Sequence, residues 1–219
     1  MIDLKSARHW ARAIQEEALK ENGRAVDATM GTGGDTEALC IMAGEHGRVD
    51  AFDIQQEALD RTEARLRERG LSGRAALHLT GHEHMRELVA PGLDLVTFNL
   101  GWLPGSRDKT ITTRLETTLQ ALSAALDLLK KGGVITLCAY PGHDEGSREL
   151  TEILKWTESL PSQEVQVMLQ RYMNQPAAPA LIVLVKLKEQ ITLPPWPDTV
   201  EDRQNAHGET FGEAEDVRP

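Results

Sequence analysis

The chain has 219 residues, 40% apolar and 26% charged, and a formal charge of −10. That length suits one α/β domain with a sizeable core rather than two; no apolar run approaches the ~18 residues of a membrane span, and the charge-studded first ten residues read against a signal peptide. The net charge argues against a nucleic-acid partner for the chain as a whole, but residues 198–219 hold seven acids and two bases, so the body is only mildly acidic and keeps local basic stretches.

In chain order, Leu4, Ala7, Ala11, Ile14 and Ala18 recur at helical spacing and predict a helix over 3–22, capped by Asp3. A short strand over 24–28 runs into the loop 29–34, and a helix follows over 35–43. Strands are predicted over 48–54, 75–80, 93–99 and 134–140. Helices are predicted over 55–69, 83–89, 112–130 and 147–159, with Gly132-Gly133 stopping the helix over 112–130. Strands over 164–172 and 180–188 close the pattern with no helix between them. Alternating strands and helices imply a parallel, doubly wound sheet, and the last pair implies a hairpin whose final strand is antiparallel. Seven strands ending in that hairpin match the Rossmann-like class I methyltransferase architecture better than the dinucleotide fold. The domain is placed at 1–190, and the Pro-rich, acidic tail at 191–219 is expected to be extended or flexible. Cys40 and Cys138 read as small buried hydrophobes with neither metal-ligand nor disulfide spacing. They point to a reducing cytoplasm and to a site without metal.

Candidate chemistry sits in the loops after strands. Asp27 closes the first strand, and Thr29, Gly31, Gly33, Asp35 and Thr36 follow it into a helix start. Glycines there admit a ligand close to the backbone, and free helix N–H groups suit a carboxylate. Asp27 is placed to take an ammonium group. Asp53 closes the second strand 22 residues after Gly31 and is placed to accept both ribose hydroxyls of an adenosine, with Ile54 and Gln55 beside it. Gly81 and His82, after the third strand, would border the adenine. Asn99, Leu100, Gly101, Trp102 and Pro104 follow the fourth strand, where an amide oxygen, backbone carbonyls and an aromatic ring suit a planar base or an amine. Arg107, Lys109 and Arg114 make the next stretch locally basic, fit for phosphates or simply solvated. His143, after the fifth strand, is a further site candidate or a plain turn residue. S-adenosylmethionine (AdoMet) is the cofactor these features favour, with NAD as the alternative.

The run from Val26 to Thr36 occurs together with Phe52-Asp-Ile-Gln55, Phe98-Asn-Leu-Gly-Trp-Leu-Pro-Gly105 and Lys109-Thr-Ile-Thr-Thr113. Further on stand Glu116-Thr-Thr118, Gly142-His-Asp144 and Asn174-Gln175. Over roughly residues 5–188 this set resembles the small bacterial AdoMet-dependent rRNA-methylase-like enzymes, which include the tRNA 5-aminomethyl-(2-thio)uridine-34 methyltransferases. Gly34 departs from the pattern, where a histidine is expected. The resemblance implies methyl transfer to the primary amine of a modified wobble uridine, with the anticodon region of tRNA as partner and Asn99 at the amine; Trp102 and His143 are expected beside it from their loops. Methylation of rRNA or of a small-molecule amine, and a non-catalytic AdoMet-binding protein, stand beside it. Monomer and homodimer are both open.

Overall fold

The structure is a computed structural model that describes residues 4–106, 110–142 and 144–196. Seven strands form one sheet: β1 (Arg24–Asp27), β2 (Arg48–Asp53), β3 (Ala75–Leu79), β4 (Leu93–Asn99), β5 (Leu129–Ala139), β6 (Val165–Gln170) and β7 (Ala180–Lys186). Their order is β3-β2-β1-β4-β5-β7-β6. β1 to β5 run parallel, and β7 inserts antiparallel between β5 and β6. The expected parallel sheet with a terminal hairpin is therefore present. Helices α1 (Ala7–Ala18), α2 (Gly34–Ala43), α3 (Gln56–Glu68), α4 (Met85–Leu88), α5 (Leu115–Leu128) and α6 (Asp144–Glu158) cover the sheet.

In the central strands both faces of the sheet are buried, as parallel sheets require. Adjacent residues of one strand feed opposite cores. Val26, Val96 and Leu137 pack with Phe98, Leu122 and Trp156, whereas Ala25, Leu95 and Cys138 pack with Ala11, Leu39 and Val49. One polar group spans this apolar interior. Buried Gln15 of α1 donates to the hydroxyls of Thr97 and Thr136, at 2.9 and 3.0 Å. That pins α1, and with it Arg8 and Arg12, over the ends of β4 and β5.

Several element boundaries depart from the pattern in the sequence. α1 starts at Ala7 because the Ser6 hydroxyl, not Asp3, caps it, accepting the His9 N–H at 3.3 Å; Asp3 lies outside the described residues. The helix stops at Ala18, with Leu19 extended. α5 begins at Leu115, since Thr112 pairs with Trp102 in an isolated bridge and Thr113 is hydrogen-bonded to Gly101. No glycine ends α5: Leu129 turns straight into β5 to pair with Leu93, and Gly132-Gly133 fall inside that strand at a register shift. A 3₁₀ turn, His82–His84, precedes the single turn of α4. Residues 191–196 form no helix or strand, but they dock. Ile191 and Leu193 pack on the core, and the indole N–H of Trp196 donates to Ser123 at 3.0 Å.

Candidate active site

The sheet reverses its winding between β1 and β4, and ligands of open α/β sheets bind at the carboxyl ends of the strands at such a point. A cavity of about 780 Å³ lies there, the size of a small-molecule site. β1 enters it through a turn whose backbone is fixed from below. The Asp27 carboxylate accepts the Thr29 N–H at 3.2 Å and the Thr36 hydroxyl at 2.7 Å. Asp27 is fully buried, and burial, then the charge of Asp35, pushes its carboxyl up to about 7. Gly33 has φ +78°, and a Cβ there would come within 2.8 Å of Thr62; close packing on α3 explains this glycine. Asp27, Gly33 and Thr36 thus build the turn from behind and do not line the cavity.

Asp53 faces the same turn from β2. Its two oxygens accept the N–H groups of Gly31 at 3.1 Å and Gln55 at 3.0 Å. Burial raises its pKa. His82 is buried against Phe98, and its Nδ1 donates to the Ala28 carbonyl at 3.0 Å. A carbonyl only accepts, so Nδ1 carries the proton and Nε2 is an acceptor. That Nε2 is buried and without a hydrogen-bond partner. Burial lowers the pKa of the ring, which keeps it neutral.

Asn99 is clamped at both ends. Its N–H donates to the Thr29 hydroxyl at 2.8 Å, and its Nδ2 donates to Asp35 at 2.8 Å. Asp35 can only accept, so the amide orientation is fixed and Oδ1 is left as an acceptor. Asp35 is itself matched by Arg12 at 2.6 Å and Arg8 at 3.4 Å. Beyond Asn99 the chain makes a flap, with Gly101, Trp102, Leu103 and Pro104 on one limb and 110–114 on the other. The base of the flap is latched. Gly101 N–H donates to the Thr113 hydroxyl at 2.9 Å, which in turn donates to Glu149 at 3.0 Å. Thr118 donates to the other oxygen of Glu149 at 2.7 Å. Glu149 is buried, and that burial raises its pKa.

The cavity therefore brings together Thr29, Gly31, Asp35, Asp53, Ile54, Gln55, Gly81, His82, Asn99, Leu100, Gly101, Trp102, Pro104 and Arg114. Arg107, Lys109 and His143 lie outside the described residues. The family described as "Putative rRNA methylase" matches residues 49–186.

The chain belongs to the rRNA-methylase family. It is 35% identical to the chloroplastic "tRNA (mnm(5)s(2)U34)-methyltransferase" of Arabidopsis thaliana, over 83% of this chain and 70% of that one. A solved rRNA-methylase-family protein of Clostridium thermocellum is 36% identical, with a TM-score of 0.82 over 85% of this chain and all of its own. A methyltransferase of Streptococcus mutans, solved with SAH, is 31% identical, with a TM-score of 0.76 over 84% of this chain and all of its own. This rRNA-methylase family member is an AdoMet-dependent RNA methyltransferase. The dinucleotide alternative falls with that assignment.

Several residues that shape the site of this methylase were not among the sequence candidates. Arg8 and Tyr140 line the cavity from α1 and the end of β5, and Arg12 and Glu149 hold its walls. Only Thr113 and Thr118, whose hydroxyls converge on Glu149, carried a signal, as unexplained members of the threonine-rich motifs.

Proposed function

We propose that this chain transfers a methyl group from AdoMet to the aminomethyl nitrogen of a modified wobble uridine in tRNA. The observation that carries the amine chemistry is Asn99, held so that Oδ1 is its spare acceptor at the cavity wall. The name of the Arabidopsis relative supports the substrate.

The residues present fit AdoMet. The orphaned Nε2 of His82 offers an acceptor to an N–H of the purine. A carboxylate offers about four acceptor positions, so Asp53, with two amides bound, still has room for two ribose hydroxyls. A Cβ at Gly34 would meet nothing within 4 Å, so the start of α2 faces open cavity space. There the helix N–H groups suit a carboxylate. Thr29, Gly31, Asp35, Ile54, Gln55, Gly81 and Gly101 complete this side, while Asp27 and Thr36 act on it through Thr29 and the turn. AdoMet supplies a methyl group already activated by its positive sulfonium.

The protein's task is then alignment. An alkyl amine is mostly protonated near neutrality, and burial disfavours its charged form. Trp102, Leu103 and Pro104 wall the cavity with apolar surface. Asn99 Oδ1 and the Leu100 carbonyl would accept the amine N–H groups and aim its lone pair. No strong base is required, because the proton released after transfer can pass to water. Arg114, with Arg107 and Lys109, is assigned to backbone phosphates, and His143 is kept as a further candidate. The assignment includes a cytoplasmic place of action, supported by the free, buried Cys40 and Cys138. Among the described residues no helix is long and apolar enough to cross a membrane.

The family name supports a second reading, methylation of rRNA. Labelled AdoMet offered with tRNA, with rRNA and with a free aminomethyl nucleoside separates the readings. Label in tRNA alone is the expected result. Label in rRNA alone would favour the second reading, and label in the free nucleoside alone would favour a small-molecule enzyme.

A further inference from the structure

A basic rim lies beside the cavity mouth, formed by two segments, one of which also supplies Arg8 and Arg12 to Asp35 at the cavity wall. The N-terminal end of α1 and the connection from β6 to β7 both stand at the carboxyl end of the parallel strands. α1 runs down the sheet before β1 climbs it, and β6 runs the same way as β5. Tyr172 ties the two segments together. Its hydroxyl is shared between the carbonyls of Leu4 and Lys5, the latter at 2.9 Å.

The composition of this rim is unlike the rest of the chain. Residues 4–12 and 171–179 contain no acid, in a chain of charge −10, yet they hold Lys5, Arg8, Arg12 and Arg171. Arg12 is committed to Asp35 at 2.6 Å. Arg8 shares that same carboxylate at 3.4 Å with 60% of its side chain exposed, so the pair leaves a surplus positive charge on the cavity wall. Arg171 is exposed, and Met173, at 84% exposure, stands among the exposed amides of Asn174 and Gln175.

We propose that this rim is the second half of the RNA-binding surface. The loop nucleotides flanking the target leave the flap, cross the cavity mouth and lie on α1 and the 171–175 segment. Arg8 and Arg171 meet their phosphates, and the Asn174 and Gln175 amides, each donor and acceptor, meet the edges of unpaired bases. The inference rests on the reading of the substrate as a tRNA loop. It accounts for a basic rim on an acidic protein, built from two segments that carry no acid of their own, and for the Asn174-Gln175 motif, which the cavity leaves unexplained.

Two charge reversals of equal size test it in the full chain. Arg171→Glu alters the rim; Lys131→Glu alters an exposed position at the opposite end of β5. Binding of a tRNA that carries the aminomethyl uridine is titrated across salt concentrations, and AdoMet affinity is measured separately. Arg171→Glu is expected to weaken tRNA binding about tenfold near 0.1 M salt and to flatten the logarithmic salt dependence by about 0.7, one single-strand phosphate contact. Lys131→Glu should change binding less than about twofold, and AdoMet affinity should hold in both. Equal effects of the two substitutions, or none from Arg171→Glu, would overturn the rim while leaving the tRNA reading intact. A wild-type chain that neither binds nor methylates that tRNA would overturn the substrate reading and the rim with it.

Discussion

Each oxygen of Asp53 already accepts a backbone amide, and two hydroxyls of a ribose would complete its set of partners. Replacing Asp53 with Ala should weaken AdoMet binding by on the order of 2–4 kcal/mol, read by calorimetry, since hydrogen bonds to a charged acceptor are the stronger kind. Unchanged affinity would remove the ribose role. Asp27 behaves differently. Its carboxyl titrates near 7 in the folded chain, against 3.8 for an ordinary aspartate in water. Between those values the folded chain keeps a proton that the unfolded chain releases, so stability falls as pH rises through that window. The loss from this group is at most about 4 kcal/mol. Asp27→Asn keeps an acceptor for the Thr29 N–H and offers its NH₂ to the Thr36 hydroxyl. Denaturant melts at about pH 5 and about pH 8 should therefore show a flatter dependence for Asp27→Asn than for wild type. The same slope in both would exclude Asp27 as the source. At this scale the strand-end acids and Asn99 were legible, because a polar residue closing an apolar strand is conspicuous. Which way Asp27 faced was not, since its partner Thr36 is fixed only when α2 docks.

The flap shows what element boundaries hide. A threonine-rich run before an apolar period reads as a helix cap, yet Thr112 and Thr113 belong to the flap, and α5 starts at Leu115. Thr113 commits its hydroxyl to Gly101 and Glu149. Thr113→Val should cut kcat on tRNA about tenfold, the equivalent of ~1.4 kcal/mol and in the range for a lost buried hydrogen bond. AdoMet affinity should hold, hydrogen exchange at Gly101 should quicken, and Thr113→Ser should restore the rate. Full activity of Thr113→Val would reduce the latch to a packing detail. The tail divides in the same spirit. Composition places 191–196 with the acidic segment, but apolar Ile191, Leu193 and Trp196 bind the domain. A chain ending at Pro197 should melt like the full chain, whereas one ending at Lys188 should lose about 2–3 kcal/mol of stability. Equal melting of the two would mean that this docking contributes nothing.

At the scale of the molecule, the order of strands and helices was legible because both periods are strong and the missing last helix forces a hairpin. The topology then sets the reversal point between β1 and β4, and the strand-end residues converge there without further instruction. Arg8 could not be read in advance. Nothing in its neighbourhood along the chain resembles a site, and it reaches the cavity only because buried Gln15 seats α1 across β4 and β5. A mildly acidic body can still act on RNA if its bases gather at one mouth, as the proposed rim would have them do. The proposed reaction methylates one amine on one nucleoside. Its most direct measurement is nucleoside mass spectrometry of tRNA carrying the unmethylated aminomethyl uridine, incubated with the chain and AdoMet. One added methyl is expected on the C5 substituent of the wobble uridine, dependent on AdoMet and strongly reduced by Asn99→Ala. A methyl on the ribose, on the base ring or on another nucleoside, or none at all, would contradict it.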